Sequence, residues 1–287
     1  MRRTHARTVV SVVSAVILGA TALGAAAAGP APAVLSGAPG IAVAGGAHVV
    51  TAPSASGSTQ VRLVRDRDAK VLRSHTLPGR LGVPMVTFSG LVEGTWSKGR
   101  RLVLATSIYD DPSHTTFVTI DTRTLAPLRT IRLAGSFAFD AVSPDGRRLY
   151  VLQYPGGVQG GVRYVVRSLS LATGRLDTGA IVDRTEPDEQ MSGIALARVW
   201  SGNGAWAYTL YNGGDSHAFV HALNTRTRTA RCIDLPWKGA QQNGLETTLM
   251  SVSGAGTLTL TQPLAGVLAR IDTRTFRVDV LRAPVTS

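Results

Sequence analysis

Three charged residues, Glu93, Asp140 and Arg198, stand at one offset, six residues ahead of a glycine, in LVEGTWSKG, AFDAVSPDG and ALARVWSGNG. Two carboxylates brought together can flank a glycosidic bond, one as the acid and the other as nucleophile or base. Gathered with a cation in a narrow interior they form an ion-pair cluster instead, because a buried charge must be paired or solvated. Both outcomes stay open at this point, and the three residues are candidate catalytic groups. A second pattern recurs 103 residues apart: Asp111 precedes His114 in YDDPSH, and Asp215 precedes His217 in NGGDSH. Carboxylate with imidazole is a donor set for a divalent cation, or an acid–base pair. The same residue types are also ordinary turn formers. Asp111, His114, Asp215 and His217 are therefore the candidate metal ligands, and no organic cofactor is expected. The chain has no G-x-S-x-G, no H-E-x-x-H and no glycine-rich phosphate loop. Cys232 is the single cysteine, which excludes an internal disulfide and a cysteine-based zinc cluster.

These side chains need elements to hold them. In SPDG, Pro144 suits the second position of a type I turn, Asp145 the third, and Gly146 the left-handed position that follows. The flanks FAFDAV and RLYVLQY are strand-like, which makes 137–154 a hairpin. Aligned on the glycine, 91–107, 138–154, 195–211 and 247–262 share one frame, and 40–53 is a fainter copy. A second element follows each: FVTIDTRT (117–124), VHALNTRT (220–227) and LARIDTRT (268–275), with 61–72 and 167–176 in the equivalent places. Each unit is strand a, short turn, strand b, longer loop, strand c, polar turn, strand d. Four antiparallel strands at a period of about 50 residues mark a β-propeller blade. The expected fold is all-β, with five blades over 40–79, 86–135, 138–183, 193–236 and 246–283. Six or seven irregular blades and a two-sheet sandwich are the alternatives, and the sandwich does not explain the fixed period. A lone blade exposes two apolar faces, so a ring that packs every blade on both sides is expected.

SPDGRRLYV followed by VRSLSLATGRL, together with FVTIDTRT, resembles the repeats of YVTN-type secreted β-propellers, a WD-repeat-like family. Those repeats carry an I-D-T-x-T-G turn and an S-P-D-G-x-x-L-Y-V hairpin in each blade. The resemblance extends over 40–287 and is specific around 117–176; SGNGAW and SGAGTL depart from it, as do insertions at 183–192 and 236–246. It implies a propeller and an exported protein. The shared residues are fold residues, so it transfers no catalytic group.

In a propeller the b–c and d–a loops emerge on one face and the a–b and c–d turns on the other. The turns here gather arginine, including Arg123, Arg147, Arg148, Arg175, Arg226, Arg228 and Arg274. The loops are longer and richer in acid. Long loops on a rigid scaffold are where ligands bind, so the candidate ligand face comprises Asp110, Asp111, His114, Tyr154, Asp188, Asp215, His217 and Trp237.

The 287 residues are 44% hydrophobic and 17% charged, a globular composition. Residues 1–33 read as a secretory signal peptide: Arg2, Arg3 and Arg7, no charge over 9–28, then A-x-A sites ending at Ala28 and Ala33. An uncleaved anchor is the alternative, since about 20 apolar residues span a bilayer. Cleavage near 28 or 33 would leave a flexible leader, 34–39, and one propeller domain, 40–287, with no transmembrane segment. The formal charge of +12 would fall to +9, with 27 basic and 18 acidic residues. For an exported basic monomer the expected partner is a cell-surface polymer, glycan or protein rather than nucleic acid. Two functions follow: a non-enzymatic binding module using the long loops, or a secreted glycosidase- or lactonase-like hydrolase using the axial carboxylates or the loop Asp and His residues.

Overall fold

The repeated Asp-Thr-Arg-Thr element is a side-chain-capped turn with a threonine clamp. The Asp121 carboxylate accepts the N–H groups of Arg123 (2.9 Å) and Thr124 (3.0 Å), and Thr122 donates its hydroxyl to the Gly99 carbonyl (2.8 Å). Asn224 with Thr225 and Asp272 with Thr273 repeat the arrangement, the threonines reaching the Ala205 and Gly256 carbonyls. Each clamp fastens a c–d turn to the a–b turn of its own sheet. The a–b turns are also alike. Ser143, Ser201 and Ser253 accept the N–H of Gly146, Gly204 and Gly256, and their hydroxyls accept the N–H of Arg148, Trp206 and Thr257. SGNG thus keeps the geometry of SPDG while losing its letters, and SGAG closes the same serine contacts one residue shorter.

The computed structural model describes residues 33–157, 163–187, 191–213 and 216–286, so nearly all of the expected signal peptide lies outside the described residues. After Val34–Leu35 (β1) come five antiparallel sheets in chain order. The first holds Ile41–Val43 (β2), Ala47–Pro53 (β3), Ser58–Arg65 (β4) and Val71–Pro78 (β5). The second has a split inner strand, Leu81–Pro84 (β6) and Thr95–Trp96 (β7), then Arg101–Thr106 (β8), His114–Asp121 (β9) and Pro127–Ala134 (β10). The third contains Ser136–Val142 (β11), Arg148–Tyr154 (β12) and Val165–Ser170 (β13). Ala195–Trp200 (β14), Trp206–Tyr211 (β15), His217–Asn224 (β16) and Thr229–Lys238 (β17) make the fourth. A 3-10 helix, Gly239–Thr247, leads to the fifth: Leu249–Val252 (β18), Thr257–Gln262 (β19), Gly266–Asp272 (β20) and Val278–Val280 (β21).

Three details correct the expected boundaries. Val34 and Leu35 pair with Pro84 and Val83, so 34–39 is not a free leader; β1 satisfies the backbone edge that β6 would otherwise leave open. The second sheet begins at 81 rather than 86, with 85–94 bulging out between the two halves of its inner strand. The third sheet has three strands, and its outer edge is reduced to isolated bridges at Leu176 and Ile181.

Packing follows the two-residue period of a strand. Leu102 and Leu104 of β8 enter the cluster shared with the first sheet, while Val103 and Ala105 enter the one shared with the third. Leu149 and Val151 of β12 turn back to the second sheet, whereas Tyr150 and Leu152 turn forward to the fourth. A further cluster lies between the fourth and fifth sheets. Four clusters thus fill the four successive interfaces. The expected fifth interface differs. In β3 and β19 burial alternates, with Leu258 and Leu260 covered and Thr257, Thr259 and Thr261 half-exposed. Leu249, on the inner strand β18, is 64% exposed. No hydrophobic cluster, hydrogen bond or ion pair among the described residues joins the fifth sheet to the first. Among the described residues the two end sheets are packed on one side only, and their other faces mix Thr257, Thr259 and Thr261 with small or isolated apolar side chains.

The turns give a test. Ala69 sits in the left-handed region (φ 54°), where the third sheet has Gly174 and where a Cβ costs about 1–2 kcal/mol. Ala69→Gly should raise stability by about 0.5 kcal/mol after the added chain entropy. Gly146→Ala should lower it by about 2 kcal/mol or more, since the left-handed φ is compounded by overlap with the Trp96 indole. Urea unfolding of the two variants measures both.

Candidate functional site

The inner strands of the second, third and fourth sheets bring Glu93, Asp140 and Arg198 together at the axis. Arg198 lies on β14 opposite Thr209, and Asp140 is the bulged residue of β11 between Phe139 and Ala141. Glu93 follows the 85–92 excursion. That excursion crosses to the fourth sheet, where the Phe88 N–H donates to the Ala195 carbonyl (2.7 Å) and the Ser89 hydroxyl to the Leu196 carbonyl (3.3 Å). The crossing is what sets Glu93 within reach of Arg198.

The Arg198 guanidinium, 2% exposed, engages both acids. One terminal nitrogen pairs with an Asp140 carboxylate oxygen, and the other donates to the Asp140 carbonyl and lies 3.4 Å from the Glu93 carboxylate. Its Nε donates to the Thr209 hydroxyl (2.8 Å), and the Trp200 indole donates to the remaining Glu93 oxygen (2.8 Å). Burial pushes the Glu93 carboxyl above the usual carboxylate range; Arg198 and Trp200 oppose that rise and the Asp140 charge adds to it. Burial also works against the Arg198 charge, but Asp140 and Glu93 outweigh it and hold the guanidinium charged. Glu93 borders a cavity of about 430 Å3 lined by Ala42, Thr95, Val142 and Trp200, at the turn-face ends of the inner strands.

Trp200 and Thr209 were not among the candidates. A signal existed for both: Trp200 is two residues beyond Arg198 on the same strand face, and Thr209 is the cross-strand neighbour in the fourth hairpin.

The loop-face candidates do not converge. Asp111 accepts the N–H (2.8 Å) and hydroxyl (2.6 Å) of Ser113, whose hydroxyl meets the His114 ring (2.8 Å), so this group is a self-contained turn. These bonds, led by the Ser113 hydroxyl, hold the Asp111 carboxyl below its ordinary range. Asp110 pairs with Arg80 (3.6 Å), and His217 pairs with Asp234 (2.7 Å). Asp188 and Asp215 lie outside the described residues. Among the described residues no group of three or more His, Cys, Asp and Glu is placed to hold a metal ion.

Two candidates are core residues rather than loop residues. Tyr154 ends β12 and packs on Tyr164 (5.6 Å between rings), which packs on Tyr211 (5.8 Å). Trp237 is 2% exposed because DLPWK extends β17 rather than forming a loop, which turns its indole into the cluster with Leu245. Large aromatic surfaces are worth more buried against a neighbouring blade than left in a loop.

Successive four-stranded meanders packed face to face about an axis define a β-propeller, here of five blades. No protein-family model and no curated protein sequence matches the chain. Among solved structures it is similar to BamB from Moraxella catarrhalis (TM-score 0.44, 16% identity, covering 81% of this chain and 64% of BamB). It is also similar to a putative 6-phosphogluconolactonase from Bacteroides uniformis (TM-score 0.46, 13% identity, 85% and 71% covered). A third such structure is the dihydro-heme d1 dehydrogenase NirN (TM-score 0.45, 14% identity, 88% and 48% covered). The chain spans under two thirds of the length of BamB and about half that of NirN.

Removing the cation should be costly. Arg198→Met leaves two buried acids unpaired and is expected to lose about 3–5 kcal/mol in urea unfolding, most of it recovered by adding Glu93→Gln and Asp140→Asn. Glu93 also gives a pH signature. A carboxyl raised in the folded state stabilises below the unfolded value and loses that contribution as pH climbs through the folded value. The melting temperature of Glu93→Gln should therefore rise relative to wild type as pH climbs above about 4, the ordinary glutamate value.

Proposed function

We propose that this chain is an exported β-propeller binding module with YVTN-like repeats, which takes a surface glycan or protein on its long-loop face and catalyses no reaction. The observation that carries this is the double engagement of Arg198. Its guanidinium holds Asp140 and reaches Glu93, so the two acids at the axis act as a clasp between three blades. Export is supported by the basic, apolar, A-x-A pattern of residues 1–33. No helix among the described residues is long and apolar enough to cross a membrane.

A hydrolase has one observation in its favour. Glu93 borders the 430 Å3 cavity with its carboxyl shifted upward, as a general acid requires.

One experiment separates the two. The purified chain is applied to an array of glycans and peptidoglycan fragments, and in parallel to chromogenic glycosides and lactones. The binding module predicts saturable capture that Asp111→Ala with His114→Ala abolishes and Glu93→Gln leaves within about twofold. Turnover of any glycoside or lactone that Glu93→Gln abolishes would overturn it.

A further inference from the structure

Two clefts run side by side between the third and fourth blades, one between their turns and the other from the c–d turn of the third blade along its outer edge to Arg184. One, of about 670 Å3, is lined by Arg147, Arg148, Arg226 and Arg228; the other, of about 690 Å3, by Arg175, Arg184 and again Arg228. Each has the volume of a pocket for a small organic ligand, about 300–1,000 Å3, and Arg228 lines both, so the two adjoin as an arginine-rich trough. Among the described residues, six guanidinium groups line the two clefts with only two carboxylates, Asp177 and Asp145, the latter 3.6 Å from Arg147. Asp177 is already committed: one oxygen accepts from Arg148, Ser168 (2.6 Å) and Arg228 (3.3 Å). It fixes the directions of two arginines without neutralising the trough. Arg175, Arg184 and Arg226 are exposed and form no ion pair among the described residues.

From this excess we infer that the trough is a binding site for an acidic polysaccharide, a carbohydrate chain bearing carboxylates at regular intervals. Guanidinium forks match carboxylates in two parallel hydrogen bonds, which an ammonium cannot do. Beside an apolar strip of Leu176, Ala180 and Ile181, hydroxyls of Ser170, Thr173, Thr178 and Thr227 also line the trough and suit sugar hydroxyls. It contains no aromatic ring, and a single-stranded nucleic acid would need such rings for stacking. Six arginines spread over two adjoining clefts suit a chain bearing several carboxylates rather than one ion. The site uses neither Asp111 nor His114 and does not depend on the proposed loop site.

The test uses polygalacturonate oligosaccharides, with uncharged dextran, duplex DNA and polyphosphate as comparison ligands, and reads affinity by calorimetry. Saturable binding to polygalacturonate that weakens between about 0.05 and 0.3 M salt is expected. Arg175→Gln with Arg184→Gln should weaken it about tenfold or more, since both lose charge-assisted bonds. Arg123→Gln with Arg274→Gln, in the c–d turns of the second and fifth blades, should change it less than about twofold. Melting temperatures of both pairs should match wild type, and Asp111→Ala with His114→Ala should leave this binding intact. No binding to polygalacturonate, equal losses for the two arginine pairs, or tighter binding to DNA or polyphosphate at matched charge would each overturn the proposal.

Discussion

A four-stranded sheet with apolar side chains on both surfaces is stable only when both surfaces are covered, and the rest of this structure depends on that constraint. Strands β8 and β12 send alternate residues into different clusters, one forward and one back. Their two-sided burial obliges a second, third and fourth blade to stand in sequence with neighbours on each side. The end sheets obey the same rule by a different route. Their outward positions carry threonine on β19 and His48, Val50 and Ala52 on β3, so, Leu249 apart, little large apolar surface is left wet.

Stacking the blades forces their inner strands into a confined space, and the chemistry of the axis follows. Charged residues placed there have to find one another. Arg198 pairs with two acids from two other blades, Thr209 and Trp200 add hydrogen bonds, and one buried Asp140 oxygen is left without a partner. Charge placed by a repeat position thereby becomes a contact among three blades that are far apart in sequence. Desolvation that would be prohibitive for any one of the three is tolerable for the set.

Much of this was readable from residue order. The Ser-x-x-Gly and Asp-Thr-Arg-Thr elements are local hydrogen-bonding units, so their spacing located nearly every hairpin, and one shared offset identified the axial trio. What escaped depended on contacts distant in sequence. Nothing local says that Val34 and Leu35 will pair with Val83 and Pro84, or that Phe88 will bond to a strand beginning more than 100 residues later. Trp237 was misplaced because Pro236 and Gly239 suggest a loop, whereas β17 runs past the proline at the sheet edge and carries the indole inward. The separate pairs Asp110 with Arg80 and His217 with Asp234 were likewise invisible, since each depends on a partner distant in sequence.

The excursion at 85–92 has a mechanical meaning. A row of blades that is not sealed end to end has no intrinsic radius, because each joint could hinge slightly and the hollow could widen or narrow. A segment leaving the second blade and bonding to the fourth spans that hollow as a chord spans an arc. It holds the curvature of the middle three blades, and with it the separation of everything mounted on their rims.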